Sequence, residues 1–172
     1  MKSLELRPLF TVFAALGLLT GAVYPLAMTG IGQALFSHQV NGSLVRDAQG
    51  AVTGSEHLAQ KFTSPAFFQP RPSAADFATV SSGASNLSPV GKAQQDARRT
   101  REAAWVDRGG GRPVPETLLT ASGSGLDPHL PPEAIFYQAP LVAKARGMDL
   151  EALNRLIVQS LEKPVLGFMG QE

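Results

Sequence analysis

The chain has 172 residues, 44% of them hydrophobic, no cysteine and a formal net charge of +1. Of its 15 Lys and Arg and 14 Asp and Glu side chains, Lys2, Arg7 and Glu5 precede a long uncharged stretch, leaving 13 of each sign from Arg46 onward. That balance argues against a nucleic-acid partner, which needs a basic surface to displace phosphate counterions. The missing thiols exclude disulfides, thiolate metal sites and cysteine nucleophiles.

No Lys, Arg, Asp or Glu occurs between Arg7 and Arg46. Residues 1–9 form a short polar start, and residues 10–30 read as a transmembrane helix. At 1.5 Å per residue this run spans roughly 30 Å, the hydrocarbon thickness of a bilayer. Each large apolar residue favours insertion by about 0.3 to 0.6 kcal/mol near the centre. The apolar character continues through Ile31, Ala34, Leu35 and Phe36. A buried core helix rarely runs so far without a polar face. A cleavable signal needs a shorter apolar region and a small-residue exit. Pro25 removes one backbone hydrogen bond and is expected to kink the helix. Ala14, Gly17 and Gly21 share a face that allows close approach of another helix, although ordinary glycine content produces the same spacing. Lys2, Arg7 and the terminal amine place the N-terminus in the cytoplasm by the positive-inside bias, and residues 31–172 outside.

After the span, Asn41-Gly42-Ser43 and Asp47-Ala48-Gln49-Gly50 are turns, each followed by a short apolar piece, which predicts a small hairpin. His57 to Phe62 reads as a short helical turn. Prolines 65, 70 and 72 then hold Phe67 and Phe68 in a rigid irregular stretch. A helix is expected over 89–106, capped by Ser88, with a thin surface stripe of Val90, Ala93, Ala97 and Ala104. Arg98, Arg99 and Arg101 read as its solvated face rather than a binding patch. Pro132 to Arg146 predicts another helix, stopped by Gly147 and distorted by Pro140. Asp149 caps a last helix reaching about Glu162, with Leu150, Leu153, Leu156, Ile157 and Leu161 as its apolar face. Helices mixed with short strands, without regular alternation, define an α+β domain.

Two loops rich in Ser and Gly are the first place to look for chemistry: Ser82, Gly83, Ser85, Asn86 and Leu87 in one, Ser122, Gly123, Ser124, Gly125 and Asp127 in the other. Backbone amides in such loops form concave anion sites. Neither ends in Gly-Lys-Ser/Thr as a Walker A loop does, and neither is a nucleophile elbow. His38, His57 and His129 lack metal-ligand spacing. No residue is assigned a catalytic or metal role. The rival readings are an anchored periplasmic serine hydrolase using Ser85 or Ser124, and an anchored binding protein with a ligand in these loops.

The ordered set Tyr24-Pro25-Leu26, Asn41-Gly42-Ser43-Leu44, Gln60-Lys61-Phe62, Gln69-Pro70-Arg71-Pro72-Ser73-Ala74, Ser82 to Leu87, Thr120 to Pro128 and Gln138 to Arg146 resembles the C subunit of the potassium-transporting P-type ATPase, KdpC. The resemblance covers nearly the whole chain. It implies an accessory, non-catalytic subunit in a bacterial inner membrane, partnered with a potassium-translocating subunit and an ATP-hydrolysing subunit. Potassium is then the ion carried by the complex, and no cofactor is firmly held. The family is described as a catalytic chaperone raising the ATP affinity of the hydrolysing subunit, and the resemblance implies a nucleotide-signature-like role for the loop around Ser82 to Leu87, with ATP as its ligand. The positive-inside topology opposes direct contact with cytoplasmic ATP. The family pattern also continues with a strand containing Val-Asn-Val where this chain stops at Gly170-Gln171-Glu172, so an unpaired sheet edge or open groove is expected there.

Overall fold

The structure, a computed structural model, describes residues 6–162. The C-terminal expectation concerns residues outside that range. The chain divides into two compact units, one running to Glu56 and one from His57.

The first unit is dominated by a continuous apolar helix, Leu6–Leu35, of 30 residues, none of which is buried. It comprises α1 (Leu6–Leu18), one π turn (Leu19–Val23) and α2 (Tyr24–Leu35). At 1.5 Å per residue it reaches about 45 Å, longer than a hydrocarbon core. The π turn sits immediately before Pro25, the residue expected to disturb the helix. Pro25 has no amide to donate, and the amide of Tyr24 reaches back five residues to the carbonyl of Leu19. The perturbation is therefore a local widening of the helix. The hydroxyls of Thr11 and Thr20 donate to the carbonyls of Arg7 and Leu16, at 2.9 and 2.8 Å, so neither carries an unmet donor into an apolar medium.

Phe36 ends α2, and α3 (Ser37–Val40) leads into the predicted turn. Gly42 (φ +91°) and Ser43 (φ +46°) both take left-handed conformations there. Strands β1 (Leu44–Arg46) and β2 (Val52–Ser55) pair antiparallel, with Leu44 opposite Ser55, Val45 opposite Gly54, and a bulge between Val45 and Arg46. Their turn closes because an Asp47 carboxylate oxygen accepts from the amides of Gln49 and Ala51, both at 2.9 Å.

The second unit packs around α6 (Pro132–Arg146). On one side Ala134 joins Trp105, Val114, Leu118 and Leu119. On another, Ala139, Val142 and Ala143 meet Leu153 and Ile157 of α7 (Leu150–Ser160). Small residues on α6 let neighbours approach from two directions, so one helix serves both clusters. Gln138 lies between them, 1% exposed. Its side-chain oxygen accepts from the amide of Gln69 at 2.7 Å, and its nitrogen donates to the Gln69 carbonyl at 3.1 Å. One buried side chain thereby closes both backbone groups of Gln69 in an otherwise irregular segment.

Both helix ends read from sequence here are observed. Gly147 stops α6 at φ +63°, and the Asp149 carboxylate accepts from the Ala152 amide at 2.9 Å as the cap of α7. Pro140 does not interrupt α6, which runs unbroken past it. Pro140 is exposed, and burial of its neighbours Ala139, Val142 and Ala143 on the same helix offsets the missing hydrogen bond.

Three local expectations are corrected. His57 to Phe62 is not helical, because Ala59 is buried and its amide donates to the distant Leu126 carbonyl at 2.9 Å. Helix α4 (Lys92–Asp107) starts later than Pro89, since Ser88 closes a turn in which the Gly91 amide donates to the Ser88 carbonyl at 2.9 Å. Gly91 is the N-cap and no side chain caps the helix. The stripe expected at the surface is there, with Val90, Ala93 and Ala104 exposed and Ala97 partly buried, and the buried residues of the helix are Gln94 and Trp105. The arginines divide likewise. Arg98 forms an ion pair with Glu116 of α5 (Glu116–Leu119), and Arg101 donates to the Leu119 carbonyl at 2.7 Å. Burial lowers the pKa of Arg101. Arg99 alone of the three stays on the exposed face.

Candidate functional site

The two Ser/Gly loops, separate in sequence, come together in space. Gly125 is the point of contact. It has φ +71°, and a Cβ there would lie 2.9 Å from the Gly83 carbonyl oxygen and 3.2 Å from the Ser73 hydroxyl. Glycine is required twice over, for its left-handed backbone and for the absent side chain. Ser73 is itself held, since its hydroxyl accepts from the amides of Phe77 (2.9 Å) and Ala75 (3.3 Å).

The second loop is wired largely to itself. Ser122 is buried, its amide donates to the Pro72 carbonyl at 2.9 Å, and its hydroxyl accepts from the Gly125 amide at 3.1 Å. The Ser124 hydroxyl accepts from the Leu126 amide at 3.1 Å and lies 3.1 Å from that of Ser122. Asp127 ends the loop as an anchor. One carboxylate oxygen pairs with Arg71 at 3.2 Å, the other accepts from the His129 amide at 3.0 Å. Gly123 is exposed with open space around it.

In the first loop Gly83 and Ser85 are partly buried, whereas Ser82, Asn86 and Leu87 face solvent. Asn86 takes φ +52°, a conformation that asparagine tolerates better than most residues. Chemically, the assembly is a clasp. A serine nucleophile needs a base within hydrogen-bond reach. Among the described residues neither Ser85 nor Ser124 hydrogen-bonds to a histidine, and the amides that an anion would need at Gly125 and Leu126 already donate to serine hydroxyls.

Arg71 and Ser73 belong to this clasp, although sequence reasoning did not single them out as site residues. Their signal was the Pro70-Arg71-Pro72-Ser73 run, rigid enough to hold a charge and a hydroxyl at fixed positions. In the first unit, Ala14, Gly17, Gly21 and Pro25 are all exposed, and a Cβ at either glycine would meet nothing within 4 Å. That helix face is open.

Fold and site together define a class: an α+β chain with one N-terminal helix fit to anchor it in a membrane, then a small hairpin, then a mainly helical unit whose serine-rich loops clasp each other. The family model described as "KdpC: K+-transporting ATPase, c chain" matches residues 6–172, and the chain belongs to that family. It is 52% identical over 162 residues to the potassium-transporting ATPase KdpC subunit of Pseudomonas putida strain F1, covering 94% of this chain and 87% of that protein. Similarity to the KdpC subunit of Pseudomonas aeruginosa strain PAO1 is 50% identity over 165 residues, 95% and 88% of the two chains. With the KdpC subunit of Pseudomonas syringae pv. tomato strain DC3000 it is 49% over 162 residues, 94% and 85%.

Proposed function

We propose that the chain is the accessory subunit of an ATP-driven potassium uptake pump in a bacterial inner membrane, needed to assemble or stabilise the complex. The single observation that carries this reading is the family match over residues 6–172, which includes both the apolar helix and the clasp. The helix Leu6–Leu35 holds the chain in the bilayer, with Lys2 and Arg7 on the cytoplasmic side and the hairpin and second unit outside. The open Ala14, Gly17 and Gly21 face packs against a membrane helix of a partner. Potassium is the cargo of the complex, and the partners are its potassium-translocating and ATP-hydrolysing subunits. Any effect on ATP affinity then passes through the hydrolysing subunit. The engagement of Ser122 and Ser124 with their own loop supports that indirect route.

Topology is testable because the chain has no cysteine of its own. Val80 is fully exposed, so Val80→Cys supplies a single reactive position in the second unit. A membrane-impermeant maleimide should label it in intact spheroplasts. Labelling only after lysis refutes the orientation. Recovery of the wild-type chain with affinity-tagged pump subunits tests membership of the complex directly.

A further inference from the structure

A second feature of the second unit is unrelated to the clasp. Between the irregular segment around Phe67, the end of α4 and the flank of α6 lies a cavity of about 730 Å³. Buried Trp105 and Val142 line it, together with the partly buried Leu141 and the exposed Pro140. Gln138, the buried polar side chain within it, is spent on both backbone groups of Gln69. The floor therefore selects apolar surface.

Exposed Arg108 and Lys144 also line the cavity, and no carboxylate does. The Arg108 guanidinium lies 5.3 Å from the centre of the Trp105 ring. Beside the cavity, Arg146 sits 5.6 Å from the centre of the Phe67 ring and donates to the Ala66 carbonyl at 2.6 Å. Several other cations of the unit meet acids, Lys61 with Asp76 at 2.7 Å, Arg71 with Asp127 at 3.2 Å and Arg112 with Glu102 at 2.6 Å, while among the described residues the exposed Arg99 and Arg155 form no such pair. Among the described residues no carboxylate pairs with Arg108, Lys144 or Arg146.

We infer that this cavity receives an acidic segment of another pump subunit, whose bulky apolar side chain enters between Trp105 and Leu141 while an adjacent carboxylate meets Arg108 and Lys144. The inference rests on the reading of the chain as a pump subunit. A free small anion would need donors converging inside the cavity, yet the inner amide is closed and the cations stand at the mouth. Apolar floor and cationic rim match two neighbouring side chains on one polypeptide. Buried aromatics form the centre of such interfaces and rim charges select the partner.

Carbodiimide coupling tests this in the assembled pump. The reagent activates a carboxylate, the Lys144 amine attacks it, and an amide forms with loss of the activating group as a urea. The expected product joins Lys144 to an Asp or Glu of another subunit, and it disappears in Lys144→Arg, which keeps the charge but not the reactive amine. The double reversal R108E/K144E should lower recovery of the chain with tagged pump subunits about tenfold. Both positions are exposed, so its urea midpoint should fall only by what loss of the Arg108–Trp105 contact and acids at two helix C-termini account for, about 0.5 to 1 M, with the unit still folded. An intact complex without a Lys144 adduct, an adduct only to a second copy of this chain, or undiminished recovery of the reversal variant overturns the inference. Failure of the wild-type chain to co-purify at all instead removes the subunit reading on which it stands.

Discussion

Gly125→Ala is the most direct probe of the clasp between the two Ser/Gly loops. Alanine must either keep φ +71° or rebuild the turn. The left-handed backbone costs about 1 to 2 kcal/mol for a residue with a Cβ. The new methyl would also sit 2.9 Å from the Gly83 carbonyl, a backbone atom that cannot swing aside as a side-chain tip does. Ser73, the next neighbour at 3.2 Å, is fixed by its bonds to Phe77 and Ala75. Overpacking of this kind adds about 1 to 3 kcal/mol. The expected loss is thus about 2 to 5 kcal/mol, which lowers a urea midpoint by roughly 1 to 2.5 M at about 2 kcal/mol per M of urea. Trp105 is the sole tryptophan and lies in the core of this unit, so its emission reports unfolding of the full chain in detergent. Gly123→Ala is the control, two residues away with open space around it, and should shift stability by less than about 0.5 kcal/mol. A Gly125→Ala midpoint within error of that control would refute the reasoning.

Gln138→Leu keeps approximate volume but strands the amide and carbonyl of Gln69, and should cost about 2 kcal/mol or more, read by the same urea titration. Asp149→Ala removes the α7 cap and should cost about 1 kcal/mol, with faster amide exchange at Ala152. Burial, and secondarily the charge of Glu102, raises the pKa of Tyr137, while Arg112 opposes the shift. Its phenol donates to the Gly111 carbonyl at 2.8 Å, so the neutral form is the bonded one. The stabilisation is accordingly complete below the unfolded value near 10.0 and lost as pH rises through the higher folded value. Ultraviolet titration should show Tyr137 ionising later than a free tyrosine, and Tyr137→Phe should flatten that part of the stability profile.

Local instructions in this chain were legible wherever a residue acts on its own neighbours. The uncharged run before Arg46 dictates a membrane-length helix because nothing polar offsets the insertion of its apolar side chains. Asp47 with Gly50, Gly147 and Asp149 fix a turn, a helix stop and a helix start through contacts a few residues away. Pro25 disturbs its helix at the expected place, though as a π turn.

Tertiary structure decided whatever depends on partners distant in sequence. Ala59 leaves helical geometry because Leu126 takes its amide, and α4 is anchored by Trp105 because α5 and α6 bring Leu118 and Ala134 to it. The Ser/Gly loops looked like anion cradles by composition. Only the fold shows that Gly125 lies against Gly83 and that the Ser122 and Ser124 hydroxyls are taken up by amides of their own loop. Composition fixes which atoms can donate or accept, and it is the folded chain that selects which of them meet.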